Sequence, residues 1–158
     1  MTAVLLAIWM AQGATPSPAG TSADGFREVM TRLARAWSTQ DTALGLSCFT
    51  ADAVYMQPPD LQLYRGAEEL RKVFGALKPG TFMEFHHLAF DAATQVGLGE
   101  FSFGETGAPR ADHGVAVVRF RDGRIASWRE YFQPGPTRFE EFVAVEGKTW
   151  TWTGRDYP

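Results

Sequence analysis

The spacing of apolar positions changes once along the chain, near Thr81. Before that point the period is helical. Phe26, Val29, Met30, Leu33 and Trp37 form one stripe, and Arg27, Glu28, Arg32 and Arg35 fall mostly off it. This predicts an amphipathic helix beginning near Gly25 and capped by Asp24. Asp41 is placed to cap a short second helix through Leu44, Leu46 and Phe49, followed by a short strand over 53–56. Residues 57–60 hold Pro58 and Pro59 and read as irregular. A third helix follows Gly66, with Leu70, Val73, Phe74 and Leu77 on its stripe and Lys78-Pro79-Gly80 at its end. From Thr81 onward the pattern is that of strands: 82–90, 95–103, 113–120 and 125–132. Residues 91–94 join the first two, and 104–112 form a polar loop. A short helix over 137–143 precedes a tail, 147–158, whose Trp150, Trp152 and Tyr157 are expected to dock on the body or a partner subunit.

The last two strands meet at Asp122-Gly123, a strong hairpin signal because glycine tolerates the positive φ of a tight turn. A two-residue turn places Phe120 opposite Ile125, Val117 opposite Trp128, Val115 opposite Glu130 and His113 opposite Phe132. In that register His113, Val115, Val117, Arg119, Ala126, Trp128, Glu130 and Phe132 share a face, and His113 and Glu130 are diagonal neighbours, roughly 7–8 Å apart at Cα. A bulge would shift the register by one and dissolve the pair. Helices first and long antiparallel strands later suggest an α+β domain: about three N-terminal helices on one face of a curved antiparallel sheet, forming an open-ended cone. A cone lined with aromatics is a natural apolar ligand site.

Composition narrows this picture. The 158 residues are enough for one domain with a sizeable core. The net charge of -3 provides no basic field for nucleic acid. Cys48 is the only cysteine, so neither an intramolecular disulfide nor a cysteine-based zinc site can form within the chain. Residues 3–11 are an apolar run, 11–13 resemble a small-x-small cleavage signal, and 14–22 are a spacer rich in Pro, Ser, Thr and Gly. This predicts a signal peptide and leader over 1–22 and a single domain over 23–158, although Met1-Thr2 lacks a basic residue. A cleaved signal implies a secreted or periplasmic protein; without one it would be cytoplasmic. The run is too short to span a membrane.

Glu130 leads the candidate chemistry. A carboxyl on an apolar face has its ionised form disfavoured and moves toward the range of a general base. The structural alternative is an ion pair with Arg119 or Arg129. His113 would be its acid–base partner or a purely structural hydrogen-bond partner. Glu100, between Gly99 and Phe101, is functional if inward and merely solvated if outward. Tyr55 and Gln57 would supply a hydroxyl and an amide at the pocket mouth. Trp37, Trp128 and Phe132 form either ligand cage or core. His86 and His87 are adjacent on a strand, so they should face opposite ways and form no metal site together. Cys48 reads as a small buried residue. No phosphate loop, serine elbow or dinucleotide fingerprint occurs.

Phe49-Thr50-Ala51-Asp52-Ala53-Val54-Tyr55, then Tyr64-Arg65-Gly66, then Asp122-Gly123-Arg124-Ile125 with Trp128-Arg129-Glu130-Tyr131-Phe132, resemble the SnoaL-like branch of the nuclear transport factor two superfamily. The resemblance covers residues 26–134. It implies a cone of curved sheet and three helices, often a homodimer through the sheet, and a pocket for a small hydrophobic molecule. Relatives of this kind include polyketide cyclases, ketosteroid isomerases and limonene epoxide hydrolases, which work without a cofactor, as well as non-catalytic binding and dimerisation modules. In the epoxide hydrolases the acid at the Glu130 position acts as a base, and a tyrosine and an amide resembling Tyr55 and Gln57 help hold water. Those enzymes also carry an Arg-x-Asp pair on an inner strand; the matching residues 97–103 contain neither Arg nor Asp.

Overall fold

The computed structural model describes residues 20–58 and 62–149. Most of the expected leader and the aromatic tail from Trp150 lie outside the described residues. Helix α1 (Ala23–Thr39) buries Phe26, Val29, Met30, Leu33 and Trp37, the stripe its periodicity predicts, and Ala36 beside them. Its cap is Ser22 rather than Asp24: the Ser22 hydroxyl accepts the Gly25 N–H at 3.1 Å. Asp24 sits in the first turn, where its charge suits the helix dipole. Asp41 caps α2 (Thr42–Ser47) by accepting the Leu44 N–H at 2.9 Å. Strand β1 (Phe49–Gln57) begins earlier than its short apolar core suggests. A four-residue edge strand, β2 (Gln62–Arg65), follows the prolines and leads into α3 (Gly66–Gly75), which buries Leu70 and Phe74.

The remaining strands are β3 (Thr81–Asp91), β4 (Val96–Glu105), β5 (Arg110–Arg121) and β6 (Arg124–Pro136), followed by a short helix, α4 (Phe139–Val143). They join β1 and β2 in one six-stranded sheet of order β2-β1-β6-β5-β4-β3. The sheet is curved but does not close into a barrel. It is mixed rather than wholly antiparallel, because β1 runs parallel to β6. This pairing carries Tyr55 to the side of Trp128. Helix α1 packs against β3 and reaches over β4 at two glycines. A Cβ on Gly97 would stand 2.4 Å from the Phe26 ring, and one on Gly99 would stand 2.9 Å from the Met30 methyl. The side of the sheet facing α1 and α3 is called inner below, and the side facing α4 outer.

Asp122 and Gly123 take φ of 52° and 74°, and the turn closes with Arg121 opposite Arg124 and Phe120 opposite Ile125, as expected. The register then departs from the regular ladder. Arg119 pairs with Ser127, leaving Ala126 as an extra residue. From there Val118 faces Trp128, Ala116 faces Glu130, Gly114 faces Phe132 and His113 faces Gln133. The expected His113–Glu130 pair is therefore not made: the two side chains lie on opposite sides of the sheet. Burial supplies the reason. Ile125 and Trp128 are both fully buried, yet they stand three positions apart, and strict alternation would turn one outward. A second irregularity lies between Phe85 and His87. It brings both His86 and His87 to the outer side, contrary to the expectation that they face opposite ways.

Candidate functional site

The inner face of the sheet, α1 and α3 enclose a cavity of about 280 Å³. Its wall includes Trp37 from α1, Tyr55 from β1, Tyr64 from β2, Val73 from α3, Met83 from β3, Phe101 and Phe103 from β4, Asp112 from β5, and Glu130 and Phe132 from β6. Ala76 and Leu77, which follow α3, and Gln62 complete it, with Gln62 and Ala76 exposed to solvent. The volume lies just below the range of small-molecule sites, roughly 300–1,000 Å³.

Glu130 is the polar centre. It is only 5% exposed, and neither arginine that sequence reasoning offered as an ion-pair partner meets it in the structure. Oε1 accepts the Tyr55 hydroxyl at 2.7 Å, and Oε2 accepts the Trp128 indole N–H at 2.7 Å. Burial pushes the Glu130 carboxyl above the usual carboxylate range. Its two donors pull it partly back, and the Asp112 charge adds to the rise. Tyr55 is held well above the ordinary phenol range by burial and by Glu130, so its hydroxyl stays protonated and donates. Tyr55 stacks flat on Trp128, with ring centroids 5.8 Å apart and planes 5° from parallel. The stack fixes both donors, and through them the carboxylate plane.

Of the residues singled out from sequence, Glu130, Tyr55, Trp37 and Phe132 line the cavity. Trp128 is fully buried behind Glu130 and acts through its N–H. Gln57 is buried one inward step beyond Tyr55 and is not part of the wall. His113 and Glu100 lie on the outer side. His113 Nε2 donates to the Pro136 carbonyl at 2.6 Å, and its Nδ1 meets the Ser102 hydroxyl at 2.8 Å. Ser102 in turn meets His86 Nε2 at 2.7 Å. Phe139 stacks on His86 and Phe142 on His113, with centroids 3.8 and 4.4 Å apart. Glu100 bonds His87 Nδ1 at 2.6 Å on the open surface. The outer histidines thus hold α4 against the sheet.

Sequence reasoning missed Asp112, which the polar-loop reading of 104–112 hid. It is an inward residue of β5, opposite Phe103 on the neighbouring strand. Partial burial raises its carboxyl, while His113 and Arg110 draw it partly back. The signal that could have found it is alternation: Asp112, Gly114, Ala116 and Val118 share one side of β5. The Trp37 indole N–H is buried and has no hydrogen-bond partner among the described residues.

An α+β domain with a curved sheet, helices over its inner face and one aromatic cavity holding a buried acid is the nuclear transport factor two-like architecture. The chain belongs to the SnoaL-like domain family, whose profile matches residues 30–128. No curated protein sequence matches it. Solved structures with the same fold include a protein of unknown function with a cystatin-like fold from Methylobium petroleophilum. It has 20% identity and a TM-score of 0.66, over 88% of this chain and 94% of that one. A putative ketosteroid isomerase from Kribbella flavida has 12% identity and a TM-score of 0.63, over 82% and 94%. An LEH-like epoxide hydrolase from M. tuberculosis has 19% identity and a TM-score of 0.58, over 70% and 84%. At these identities the likeness establishes the fold.

Proposed function

We propose that the cavity binds a small, mostly apolar molecule and that Glu130 exchanges a proton with it as a general base, without a cofactor. One observation carries this reading: a buried carboxylate, oriented by two neutral donors, is aimed into an aromatic cavity with its basicity raised. Tyr55 and Trp128 fix the carboxylate and disperse its charge; Trp37 and Phe132 supply apolar wall. A general base of this kind serves isomerisation or cyclisation by taking a proton beside a carbonyl, and hydrolysis by taking a proton from water. His113 and Glu100, on the other side of the sheet, have no part in it.

The alternative is a binding module without turnover. It draws support from β4, which presents Gly97, Gly99, Phe101 and Phe103 inward while Glu105 at its end is exposed and paired with Lys78, so no second charged group from that strand assists Glu130. A homodimer through the outer sheet face is compatible with either reading, since Leu98 and Tyr131 on that face are 44% and 47% exposed. The solution mass of the native particle tests that assembly.

The functional test is a thermal-shift screen of the wild type and Glu130→Gln against steroids, lactones, polycyclic ketones and terpene epoxides, followed by turnover assays on each stabilising ligand. We expect a ligand that stabilises both proteins and is converted only by the wild type. Equal conversion by the variant would remove Glu130 as the base, and binding without conversion by either protein would leave the binding module.

A further inference from the structure

We propose that the ligand of this cavity is a small organic cation, an amine or quaternary ammonium carrying apolar groups; the inference rests on the reading of the cavity as a ligand site. The charge balance of the wall points to it. Two carboxyls, Asp112 and Glu130, line the cavity, while none of its described lining residues is Lys, Arg or His. The basic groups that do act on Asp112 are engaged elsewhere. Arg110 donates to the Pro134 carbonyl at 2.8 Å, and His113 is bound on the outer face to Pro136 and Ser102. Tyr55 and Trp128 hydrogen-bond Glu130 but bring no positive charge. A buried carboxylate without a counter-charge is costly, and a cation entering the cavity would supply what the protein lacks.

The remainder of the wall suits the same ligand. Trp37, Tyr64, Phe101, Phe103 and Phe132 surround the acids. Aromatic faces carry negative potential and attract alkylammonium groups, whose methyl or methylene shells are themselves apolar. Asp112 is the less buried of the two acids and takes the ammonium group, which leaves Glu130 free to exchange a proton.

The test compares choline with its uncharged isostere 3,3-dimethylbutan-1-ol, titrated into the full-chain protein at pH 8 and followed by calorimetry. The two probes have nearly the same shape and differ in charge. We expect choline to bind at least roughly tenfold more tightly. Asp112→Asn is expected to weaken choline roughly tenfold and to leave the isostere within about twofold. Glu130→Gln, also isosteric, provides a second variant with the same expected pattern. Equal affinity for the two probes, or a choline affinity that neither variant changes, would overturn the cationic ligand while leaving the pocket in place. If neither probe binds and the neutral panel also fails, the pocket reading falls with it.

Discussion

The Tyr55 hydroxyl donates to Glu130 Oε1 at 2.7 Å across the β1–β6 pair, the one parallel pairing among the described strands. The contact joins a residue near the start of the domain to one near its end. It is one of two hydrogen bonds that favour the ionised carboxylate. Tyr55→Phe removes one of them without altering the stack on Trp128. Glu130 should then titrate at higher pH than in the wild type, read from the pH dependence of Trp fluorescence or of turnover. The stability cost at neutral pH should be about 1–3 kcal/mol by denaturant unfolding, typical of a lost hydrogen bond to a charged group.

Glu130 itself is predicted to cost stability at neutral pH. Its folded pKa lies above its unfolded value, so the folded state binds the proton more tightly. The resulting stabilisation is complete below the unfolded pKa and is lost as pH rises through the raised folded value. Glu130→Gln should flatten the stability profile over that window and melt at or above the wild-type temperature at pH 8. Gln can still accept from Trp128 and donate to Tyr55. Glu130→Ala leaves the Tyr55 and Trp128 donors without their acceptor and should cost about 1–3 kcal/mol for each. If Glu130→Gln is as damaging as the alanine variant, the carboxylate is a structural element rather than a functional burden.

Gly97 is predicted to be intolerant of any side chain. A Cβ there would stand 2.4 Å from Phe26, whose ring is also stacked on Phe90 at 4.8 Å and cannot retreat freely. Gly97→Ala should destabilise by about 1–3 kcal/mol in denaturant unfolding, the cost of overpacking. Gly107→Ala provides a contrast. It meets no neighbouring atom, and its cost should come from its φ of +84° alone.

The hydrogen-bond chain on the outer face predicts a pH-sensitive attachment of α4. Ser102 bridges His86 and His113, and Phe139 and Phe142 stack on the two imidazoles. Burial lowers the His86 pKa, against the raising influence of Glu84, Glu100 and Glu140. The folded state therefore binds this proton less tightly than the unfolded chain, and the linked stability falls as pH drops below the unfolded value of about 6.5. Limited proteolysis near Arg138 should be faster at pH 5.5 than at pH 7.5. Ser102→Ala, which breaks the bridge, should speed cleavage at both values.

The helices were legible because their stripes follow a single period: the buried face of α1 is the one its spacing marks. Glu130 stood out because an acid within an apolar run has few uses other than an ion pair; Tyr55, Trp37 and Phe132 read equally as core or as pocket, and all four line the cavity. What was not legible depended on long-range pairing. Edge strand β2 has four residues and little burial, so alternation is too short to register. Asp112 looked like loop because its neighbours Ala108, Pro109 and Arg110 carry no strand pattern. His113 was assigned to the wrong side by one residue of register. The Asp122-Gly123 turn was read correctly, but an insertion four residues beyond Asp122 leaves no local signature. It shows only in the joint burial of Ile125 and Trp128.

That insertion makes the most demanding prediction. Ala126 is the extra residue that lets Ile125 pair with Phe120 and still leaves Trp128, Glu130 and Phe132 inward. Deleting it would restore strict alternation. Either Phe120 and Ile125 would keep their positions and the Trp128 row would turn outward, or the Trp128 row would stay and the turn would be pulled out of register. Both outcomes expose fully buried side chains, since Ile125 and Trp128 have no accessible surface in the native fold. The deletion should therefore abolish cooperative unfolding and the near-ultraviolet circular dichroism of the Tyr55–Trp128 stack. Deleting Gly107, in the short β4–β5 connection away from the cavity, serves as the control and should leave both signals intact. A deletion of Ala126 that unfolds cooperatively with native near-ultraviolet signal would mean that the bulge does not set the register, and the orientation of Glu130 would need another cause.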